Sequence, residues 1–268
     1  MRSLGVGQSA LVPTMGALHE GHLTLIRKAQ ESGRPVVVSI FVNPTQFGPT
    51  EDYGRYPRNF DRDCSLAEGA GADIVFHPEP DEMYPRPQSL IHIAEVTEQF
   101  EGALRPGHFS GVATVVCKLF QIVLPKLAFF GVKDLQQCVV IRRMVDDLNI
   151  PVELRFQPTV REGDGLAMSS RNTYLSSAER SIAPLIYRLL AESKQKLLNK
   201  EEPQEVLDAA LRALEEAGFE SQYYDLVDLT AFATSRKISE SSAVVAAVRL
   251  GKTRLIDNVL LFDRPNMP

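Results

Sequence analysis

Residues 36–42 read Val-Val-Val-Ser-Ile-Phe-Val, an almost unbroken apolar run that must be covered on both faces if it forms a strand. Around it, the first 157 residues alternate between short strand-like and longer helix-like stretches. This alternation predicts a parallel sheet with helical crossovers, in which ligands bind beyond the carboxyl ends of the strands. The predicted strands are residues 10–12, 35–42, 73–76, 127–130 and 152–156, and the predicted helices begin near residues 21, 61, 111 and 135.

The remaining residues show a different order of elements. Ser176 and Glu179 have the spacing of a capping box that starts a long helix, and residues 203–217 predict a second helix that ends at Gly218. Three strand-like stretches follow, at residues 223–229, 243–250 and 254–261. Helices followed by clustered strands indicate a small α+β domain. The length of 268 residues favours two domains, which we predict at residues 1–159 and 160–268.

Charge and composition restrict the classes of partner. A formal net charge of −5 argues against an extended surface for nucleic acid or anionic membrane, since such surfaces need clustered Lys and Arg. Because no apolar run reaches the length of a membrane span, and the first residues lack a signal-peptide segment, we expect a cytoplasmic protein. Cys64, Cys117 and Cys138 are far apart and are expected to be reduced thiols outside every predicted ligand loop.

The clearest chemical motif directly follows the first predicted strand. His19 and His22 open the next predicted helix, and their spacing of three residues places both on one face of the helix start. A helix N-terminus offers unpaired N–H groups and the positive end of the helix dipole. Residues 13–22 therefore predict a cradle for a triphosphate, unless the two histidines only cap the helix or satisfy buried neighbours.

Two further strand ends carry polar groups that suit a ligand. Lys133 lies where a strand leads into a helix, and there it would hold a phosphate beside the helix dipole. Asp134 and Gln137 in the same stretch also have the spacing of a cap and its return partner. Gln46 lies in a proline-stiffened loop after the apolar strand, which would hold its amide steady for hydrogen bonding.

A glycine-containing loop near the predicted domain boundary adds hydroxyl groups and a guanidinium. Ser169, Ser170 and Arg171 suit phosphate oxygens, although the same loop can be interpreted as a hinge with local caps. His108, before a long predicted helix, is interpreted as structural. The sequence contains no Walker A, G-x-S-x-G or H-E-x-x-H motif, and the G-x-G-x-x-A pattern at residues 5–10 precedes a strand instead of following one.

Taken together, six ordered blocks resemble the pantothenate synthetase family, the ATP-dependent ligases that join pantoate to β-alanine in coenzyme A biosynthesis. The blocks are residues 13–22, 41–47, 101–112, 131–137, 164–172 and 250–258. The resemblance implies a Rossmann-like nucleotidyltransferase domain, of the kind shared with class I aminoacyl-tRNA synthetases, followed by a smaller α+β lid domain, and it implies a homodimer. The family normally places a helix before the first strand, where this chain offers only residues 1–9.

Carried over by position, the resemblance assigns roles to individual residues. Gln46 and Gln137 would hold pantoate and β-alanine, His22 would be the proton donor, and His19 would contact phosphate. The implied catalytic set is His22, His19, Lys133, Ser169, Ser170 and Arg171, acting with Mg²⁺ to offset charge on the phosphates. The implied ATP-binding set is Met15, Gly16, Ala17, Leu18, His19, Glu20, Gly21, His22, Gly131, Val132, Lys133, Asp134, Val160, Met168, Ser169, Ser170 and Arg171.

The reaction that the resemblance implies has two halves. The carboxylate of pantoate attacks the α-phosphorus of ATP to give pantoyl adenylate and pyrophosphate, and the β-alanine amine then displaces AMP. Since no covalent enzyme intermediate is needed, we expect adenylation to survive replacement of all three cysteines by alanine. A closing lid would protect the adenylate from water, with Gly163 and Gly165 as predicted hinge residues.

Three other functions compete with this interpretation. The nearest is another nucleotidyltransferase with the H-x-G-H motif, which would release pyrophosphate but never AMP. A tRNA-charging enzyme is disfavoured by the net charge of −5 and the lack of a basic extra domain. A non-catalytic nucleotide-binding regulator would not require the second polar site that Gln46 and Gln137 indicate.

Overall fold

The computed structural model describes residues 7–49, 51–86 and 89–262. It forms two compact units: the first contains the chain up to Val132 together with Gln136–Gln157, and the second contains Lys133–Leu135 and the chain from Pro158. The first unit has a parallel sheet with helices and the second a small antiparallel sheet, which confirms the predicted fold class. Of the nine residues before the first strand, residues 1–6 lie outside the described part of the chain.

The first unit follows the predicted alternation of strands and helices. Two short 3₁₀ turns, at Pro44–Gln46 and Tyr53–Arg55, interrupt its connections, and a third, at Val132–Asp134, begins at its last residue before Lys133. In chain order its elements are β1 (Ala10–Thr14), α1 (Glu20–Gln30), β2 (Val36–Ile40), α2 (Phe60–Gly69), β3 (Ile74–Phe76), α3 (Pro80–Met83), α4 (Glu101–Leu104), α5 (His108–Val123), β4 (Leu127–Gly131), α6 (Leu135–Asp147) and β5 (Glu153–Gln157).

The five parallel strands have the order β3-β2-β1-β4-β5. All five residues of β2 are buried, as the apolar run predicts for a strand covered on both faces. The strand order reverses between β1 and β4, and their pairing extends only to Leu11 opposite Ala128, although both strands continue beyond it. A crevice at such a reversal is where open α/β sheets bind ligands, so the segments after β1 and β4 are the ones to inspect.

The second unit contains a 3₁₀ turn at Ser170–Tyr174, three helices and four strands among its described residues. Its antiparallel sheet has the order β7-β6-β8-β9, and apolar residues of α8 and α9, including Leu190, Leu197 and Leu214, pack on it in one core. The elements are α7 (Ser177–Ile182), α8 (Leu185–Leu198), α9 (Pro203–Glu216), β6 (Glu220–Asp228), β7 (Ala233–Thr234), β8 (Ser242–Leu250) and β9 (Thr253–Leu260).

The capping box at Ser176 and Glu179 is present, but the single long helix predicted after it is wrong. Helix α7 stops at Ile182 and α8 begins at Leu185, because Pro184 has no N–H for the helix ladder. Sequence reasoning also missed the one-turn helices α3 and α4 and the two-residue strand β7. Within the described ranges, no helix has the length and apolar character needed to cross a membrane.

Candidate active site

The segment between β1 and α1 is fixed by one buried carboxylate. Asp63, on α2 and only 1% exposed, accepts hydrogen bonds from the backbone N–H groups of Ala17 (2.7 Å) and Leu18 (2.9 Å). Gly16 and Ala17 both have positive φ, +82° and +50°, a conformation that is costly for alanine. A Cβ at Gly16 would lie 3.0 Å from Asp63 Oδ2, so the close approach favours glycine at this position.

Two histidines cap the helix that follows. His19 is the N-cap residue of α1, and its Nδ1 accepts the N–H of Gly21 at 3.2 Å, while His22 Nδ1 accepts the N–H of His19 at 3.4 Å. The two rings lie together, with centroids 4.1 Å apart. Because each Nδ1 is an acceptor, a neutral ring carries its proton on Nε2, the nitrogen that can donate to a phosphate oxygen. Capping and anion binding are therefore compatible uses of the same pair.

Not every residue of this segment can turn its side chain to a ligand. Leu18 is 1% exposed and belongs to the core formed by β1, β2 and α1. Glu20 is exposed and forms an ion pair with Arg27 on α1. Leu18 can therefore take part in the predicted cradle only through its main chain, whereas the carboxylate of Glu20 is engaged with Arg27.

Gln46 is held in a polar platform after β2. Its side-chain Oε1 accepts from Asn43 Nδ2 at 3.1 Å, and its Nε2 lies 3.1 Å from Met15 Sδ. Asn43 also donates to the carbonyl oxygen of Gly111 and accepts from the hydroxyl of Tyr84. The amide of Gln46 therefore has a defined orientation, and the structure brings it together with Met15 of the β1 segment.

The main chain of Gln46 is fixed by a second polar group. His108 Nδ1 lies 2.8 Å from the carbonyl oxygen of Gln46, and Arg105 contacts His108 Nε2 at 3.0 Å while pairing with Glu51. Burial, with the nearby Arg105 charge, lowers the pKa of His108 to about 4, so the ring is neutral at pH 7. His108 is thus structural, as interpreted from the sequence, and it supports the Gln46 platform.

The segment after β4 contains further residues that the sequence predicts for the site. Gly131 is half-buried, Val132 is buried, and Cys138 Sγ lies 3.3 Å from the carbonyl oxygen of Gly131. Cys138 lies just outside the predicted stretch at residues 131–137, as expected, but the first turn of α6 brings its thiol back to the strand end. Gln137 is half-buried in the same turn.

The second unit contains the remaining predicted residues. Val160 and Met168 are joined by a backbone hydrogen bond of 3.0 Å at the base of a short hairpin, and the side chain of Ser169 then accepts the N–H of Arg171 at 3.2 Å. The hairpin is fixed to β9 through Arg161, whose guanidinium makes two hydrogen bonds to the buried Asp257 and lies 3.6 Å from the ring centroid of Tyr187. Ser170 begins the 3₁₀ turn, and both it and Arg171 are half-buried.

Strand β9 also holds Lys133. Asn258 Nδ2 donates to the carbonyl oxygen of Lys133 at 3.0 Å, and Arg161 Nη2 lies 3.4 Å from the carbonyl oxygen of Asn258. Lys133 Nζ lies 3.9 Å from the exposed carboxylate of Asp134. These contacts explain why Lys133–Leu135 group with the second unit, where the sequence had suggested a single boundary near residue 160.

The predicted hinge glycines lie in a turn that is held by two ion pairs. Gly163 and Gly165 lie at the tip of the hairpin, and Arg180 binds both Glu162 and Asp164 there, each at 2.6 Å. A Cβ at Gly165, whose φ is +96°, would lie 2.8 Å from a ring carbon of Tyr187. Both glycines lie inside the second unit, and Arg180 ties their turn to its helices, while their role as hinge residues stays a prediction.

Three residues that hold these segments were given no supporting role from the sequence. Asp63, Arg161 and Asn258 act by long-range contacts. Their one sequence signal is polarity next to apolar runs, which is too common to identify a site. In the described part of the chain, no group of three or more His, Cys, Asp or Glu side chains could hold a metal ion.

Comparison with known proteins shows what this chain is similar to. The family description "Pantoate-beta-alanine ligase" matches residues 2–260. The pantothenate synthetase of Acidiphilium cryptum is 50% identical over 256 residues, which cover 95% of this chain and 92% of that protein. The pantothenate synthetase of Roseiflexus sp. is 48% identical over 258 residues, covering 95% and 93%.

Solved structures give the same similarity. The pantothenate synthetase from Thermus thermophilus superposes with a TM-score of 0.94 and 44% identity, covering 98% of this chain and 96% of that one. The ligase from Francisella tularensis, solved in complex with β,γ-ATP and β-alanine, has a TM-score of 0.81 and 36% identity, covering 97% and 92%.

Proposed function

This chain belongs to the pantoate-β-alanine ligase family and is an ATP-dependent ligase of pantoate and β-alanine, and we propose that it works through a pantoyl adenylate. One observation in this structure carries the proposal: at the β1/β4 reversal of the sheet, a helix N-terminus is capped by two adjacent imidazoles. Such a terminus stabilises negative charge without using a dedicated loop.

The first unit would hold ATP along the β1 segment and after β4. In this proposal Met15, Gly16, Ala17, Leu18, Glu20 and Gly21 contribute main-chain and small-residue surface, and Gly131 and Val132 line the other side of the crevice. His19 contacts phosphate, and His22 donates a proton or hydrogen bond as pyrophosphate leaves. The support is the fixed geometry of the segment on Asp63 and the Nδ1 acceptor role of both rings.

Pantoate would bind between the amides of Gln46 and Gln137, with β-alanine adjacent. The defined orientation of Gln46 supports this assignment, because an amide fixed by Asn43 and Met15 presents its second N–H without further ordering. Lys133, Asp134, Val160, Met168, Ser169, Ser170 and Arg171, all in the second unit, are proposed to contact ATP as well. Lys133, Ser169, Ser170 and Arg171 would offset charge on the phosphates as it develops.

In the first step a carboxylate oxygen of pantoate bonds to the α-phosphorus, and the bond to the bridging oxygen breaks, so that pyrophosphate leaves. In the second step the β-alanine amine bonds to the acyl carbon, the bond to the AMP oxygen breaks, and the amine releases a proton. No side chain has to act as a nucleophile. The protein's contribution is positioning and charge stabilisation.

Mg²⁺ would arrive with the triphosphate. This ion keeps several waters and is commonly held by substrate phosphates with one or two carboxylates, so it does not need a cage of protein ligands. The donor set of this chain, with cationic and N–H groups in the proposed ATP site, fits an ion carried mainly by phosphate oxygens. We expect chelation of Mg²⁺ to stop the first step and added Mg²⁺ to restore it.

The decisive experiment is exchange of labelled pyrophosphate into ATP, with Mg²⁺ and pantoate but without β-alanine. We expect exchange that depends on pantoate, followed by release of AMP and pantothenate in equal amounts when β-alanine is added. Exchange without later AMP release would instead indicate a nucleotidyltransferase. ATP binding without any exchange would refute the adenylate route.

Site assignments are tested in the same assay by His22→Ala and Lys133→Ala. Each is expected to lower the exchange rate about a hundredfold, as removal of a charge-stabilising donor does. His92→Ala and Lys126→Ala are matched controls, because both side chains are exposed and outside the proposed site. Near-normal rates in either site variant would remove that residue from the catalytic set.

We also propose that the protein acts in the cytoplasm as a homodimer. The homodimer rests on the family resemblance, and analytical ultracentrifugation at micromolar concentration tests it. Fractionation of the source cells tests the location.

A further inference from the structure

Two adjacent glutamines in the first turn of α6 have opposite surroundings. Gln136 is 4% exposed, and its side chain makes three hydrogen bonds to protein. Gln137 is half-buried, and among the residues that the structure describes its amide makes no hydrogen bond. The hydrogen-bonding groups of the Gln136 side chain are therefore all used within the protein, whereas those of the Gln137 side chain are open to a ligand.

All three partners of Gln136 are main-chain groups of residues 96–101, the segment that leads into α4. Its Nε2 donates to the carbonyl oxygens of Val96 (3.0 Å) and Gln99 (2.9 Å), and its Oε1 accepts from the N–H of Glu101 (3.0 Å). Both donors and the acceptor are used, and two of the three hydrogen bonds are buried while the one to Gln99 is partly buried. Such a side chain fixes the position of a whole segment, because losing it leaves three buried main-chain groups without their partner.

The segment needs this external support. Phe100, between two of the contacted residues, has φ of +53° and provides no side-chain cap for α4. A Cβ at the nearby glycine, Gly102, would lie 1.8 Å from the carbonyl oxygen of Thr97, so the backbone is packed very closely here. Gln136 bonds on both sides of the left-handed residue and caps the first N–H of α4 in its place.

The same segment leads to the Gln46 platform. The N–H of Arg105 bonds to the carbonyl oxygen of Glu101 at 2.9 Å, and Arg105 and His108 then contact the carbonyl oxygen of Gln46. Gln136 is thus next to Gln137 in the chain, and its hydrogen bond to Glu101 connects it through α4 to the Gln46 platform. No other residue described above connects the two glutamines assigned to pantoate.

We propose that Gln136 is a positioning residue for pantoate, which sets the relative position of Gln46 and Gln137 without touching the substrate. The proposal rests on the proposed function, since it requires those two glutamines to bind pantoate. In the β1 segment, Ala17 and Leu18 are held separately by Asp63. Loss of Gln136 should therefore affect pantoate far more than ATP.

The test uses Gln136→Met in the full-length chain, with AMP release measured against each substrate in turn. Methionine has nearly the same length and shape but cannot make the three hydrogen bonds. We expect the KM for pantoate to rise about tenfold or more while the KM for ATP changes less than twofold. Gln136→Asn, which keeps the amide but is one methylene shorter, should give the same split in milder form and serves if the methionine variant does not fold.

Two comparisons separate positioning from loss of stability. Met144→Ala is the matched control, because Met144 is fully buried two turns further along α6 and makes none of the three hydrogen bonds to the 96–101 segment. In a Gln137→Ala background, the further effect of Gln136→Met on the pantoate KM should shrink at least threefold, because one of the positioned groups is gone.

In Met144→Ala, any loss of stability should change the KM values for pantoate and ATP to the same extent. Equal changes of the two KM values in Gln136→Met would overturn the proposal. An unchanged pantoate KM would also overturn it. If the wild-type protein shows no pantoate-dependent exchange, the proposed function fails instead, so the two failures are distinguishable.

Discussion

The β1–α1 segment of the first unit and the 160–171 hairpin of the second are both assigned to ATP, but they are held by different forces. The first is fixed by the 1% exposed Asp63 and by main-chain donors. The hairpin is fixed at its base by Arg161 on the buried Asp257 and at its tip by ion pairs of Arg180, and it is the side chains of the tip pairs that are 30–44% exposed. Replacing a buried acceptor is costly for stability, and salt screens its hydrogen bonds little. Solvated ion pairs such as those at the hairpin tip contribute less to stability and are screened by salt.

The comparison is tested most severely by Asp63→Asn. An amide can accept only one of the two N–H groups and turns its own N–H₂ toward the other, so Gly16–Leu18 should lose their fixed position. We expect kcat/KM for ATP to fall about a hundredfold and the free energy of unfolding to fall by about 2 kcal/mol. Asp61→Asn is the control, since Asp61 is exposed on the same helix. Equal effects of both variants would show that Asp63 acts only through the charge of α2.

The second prediction concerns pH and the buried ring of His108. Its pKa is lowered to about 4 by burial and by Arg105, against opposing contributions from Glu51 and Glu101, while the unfolded chain takes up the proton near pH 6.5. Between these values the unfolded state binds more protons, so the stability contribution is complete above pH 6.5 and is lost as pH falls toward 4. From pH 7.5 to 5 the loss should be about 2 kcal/mol.

Urea unfolding at several pH values checks this, with His108→Gln as the variant that lacks the titrating group. The difference in unfolding free energy between wild type and variant should narrow on acidification. A difference that stays constant from pH 7.5 to 5 would mean that the ring is not buried in the neutral form. It would also weaken the claim that buried hydrogen bonds hold the segments of the first unit.

Much of the fold was predictable because its signals are local. The apolar run of β2, the capping box at Ser176 and the helix stop at Gly218 each depend on a few neighbouring residues, and all three are present. The long helix after Ser176 failed because the effect of Pro184 was not weighed. Helix α4 was missed because its cap comes from Gln136, 35 residues away in the chain.

The sequence predicted which types of residue form the candidate site, but not which other residues hold them in position. His19 and His22 were identified because a helix start after a strand has a known chemistry, and their caps lie within three residues. Asp63 lies 45 and 46 residues from its partners, and Asn258 lies 125 residues from Lys133. No periodicity or spacing encodes such contacts, so only the folded chain reveals which polar residues hold the predicted ones.

A smaller effect is expected from the hairpin of the second unit. Arg180→Gln removes both ion pairs at the hairpin tip, and because they are partly solvated the loss in unfolding free energy should be about 1 kcal/mol. The KM for ATP should rise two- to fivefold, and about 0.5 M NaCl should produce part of that rise in the wild type. Arg188→Gln, at an exposed pair with Glu192, is the control. A hundredfold rise in the KM for ATP would mean that the hairpin depends on Arg180 as strongly as the β1 segment depends on Asp63.

The smallest effect is expected at Cys138, whose thiol makes a 3.3 Å contact with the carbonyl oxygen of Gly131. A thiol is a weak donor, so Cys138→Ala should cost about 1 kcal/mol of stability through the small void and leave pyrophosphate exchange within twofold of wild type. The double variant Cys64→Ala/Cys117→Ala provides the baseline, and adding Cys138→Ala isolates the contact. A tenfold loss of exchange on that last step would mean that the segment after β4, like the one after β1, depends on a single buried partner.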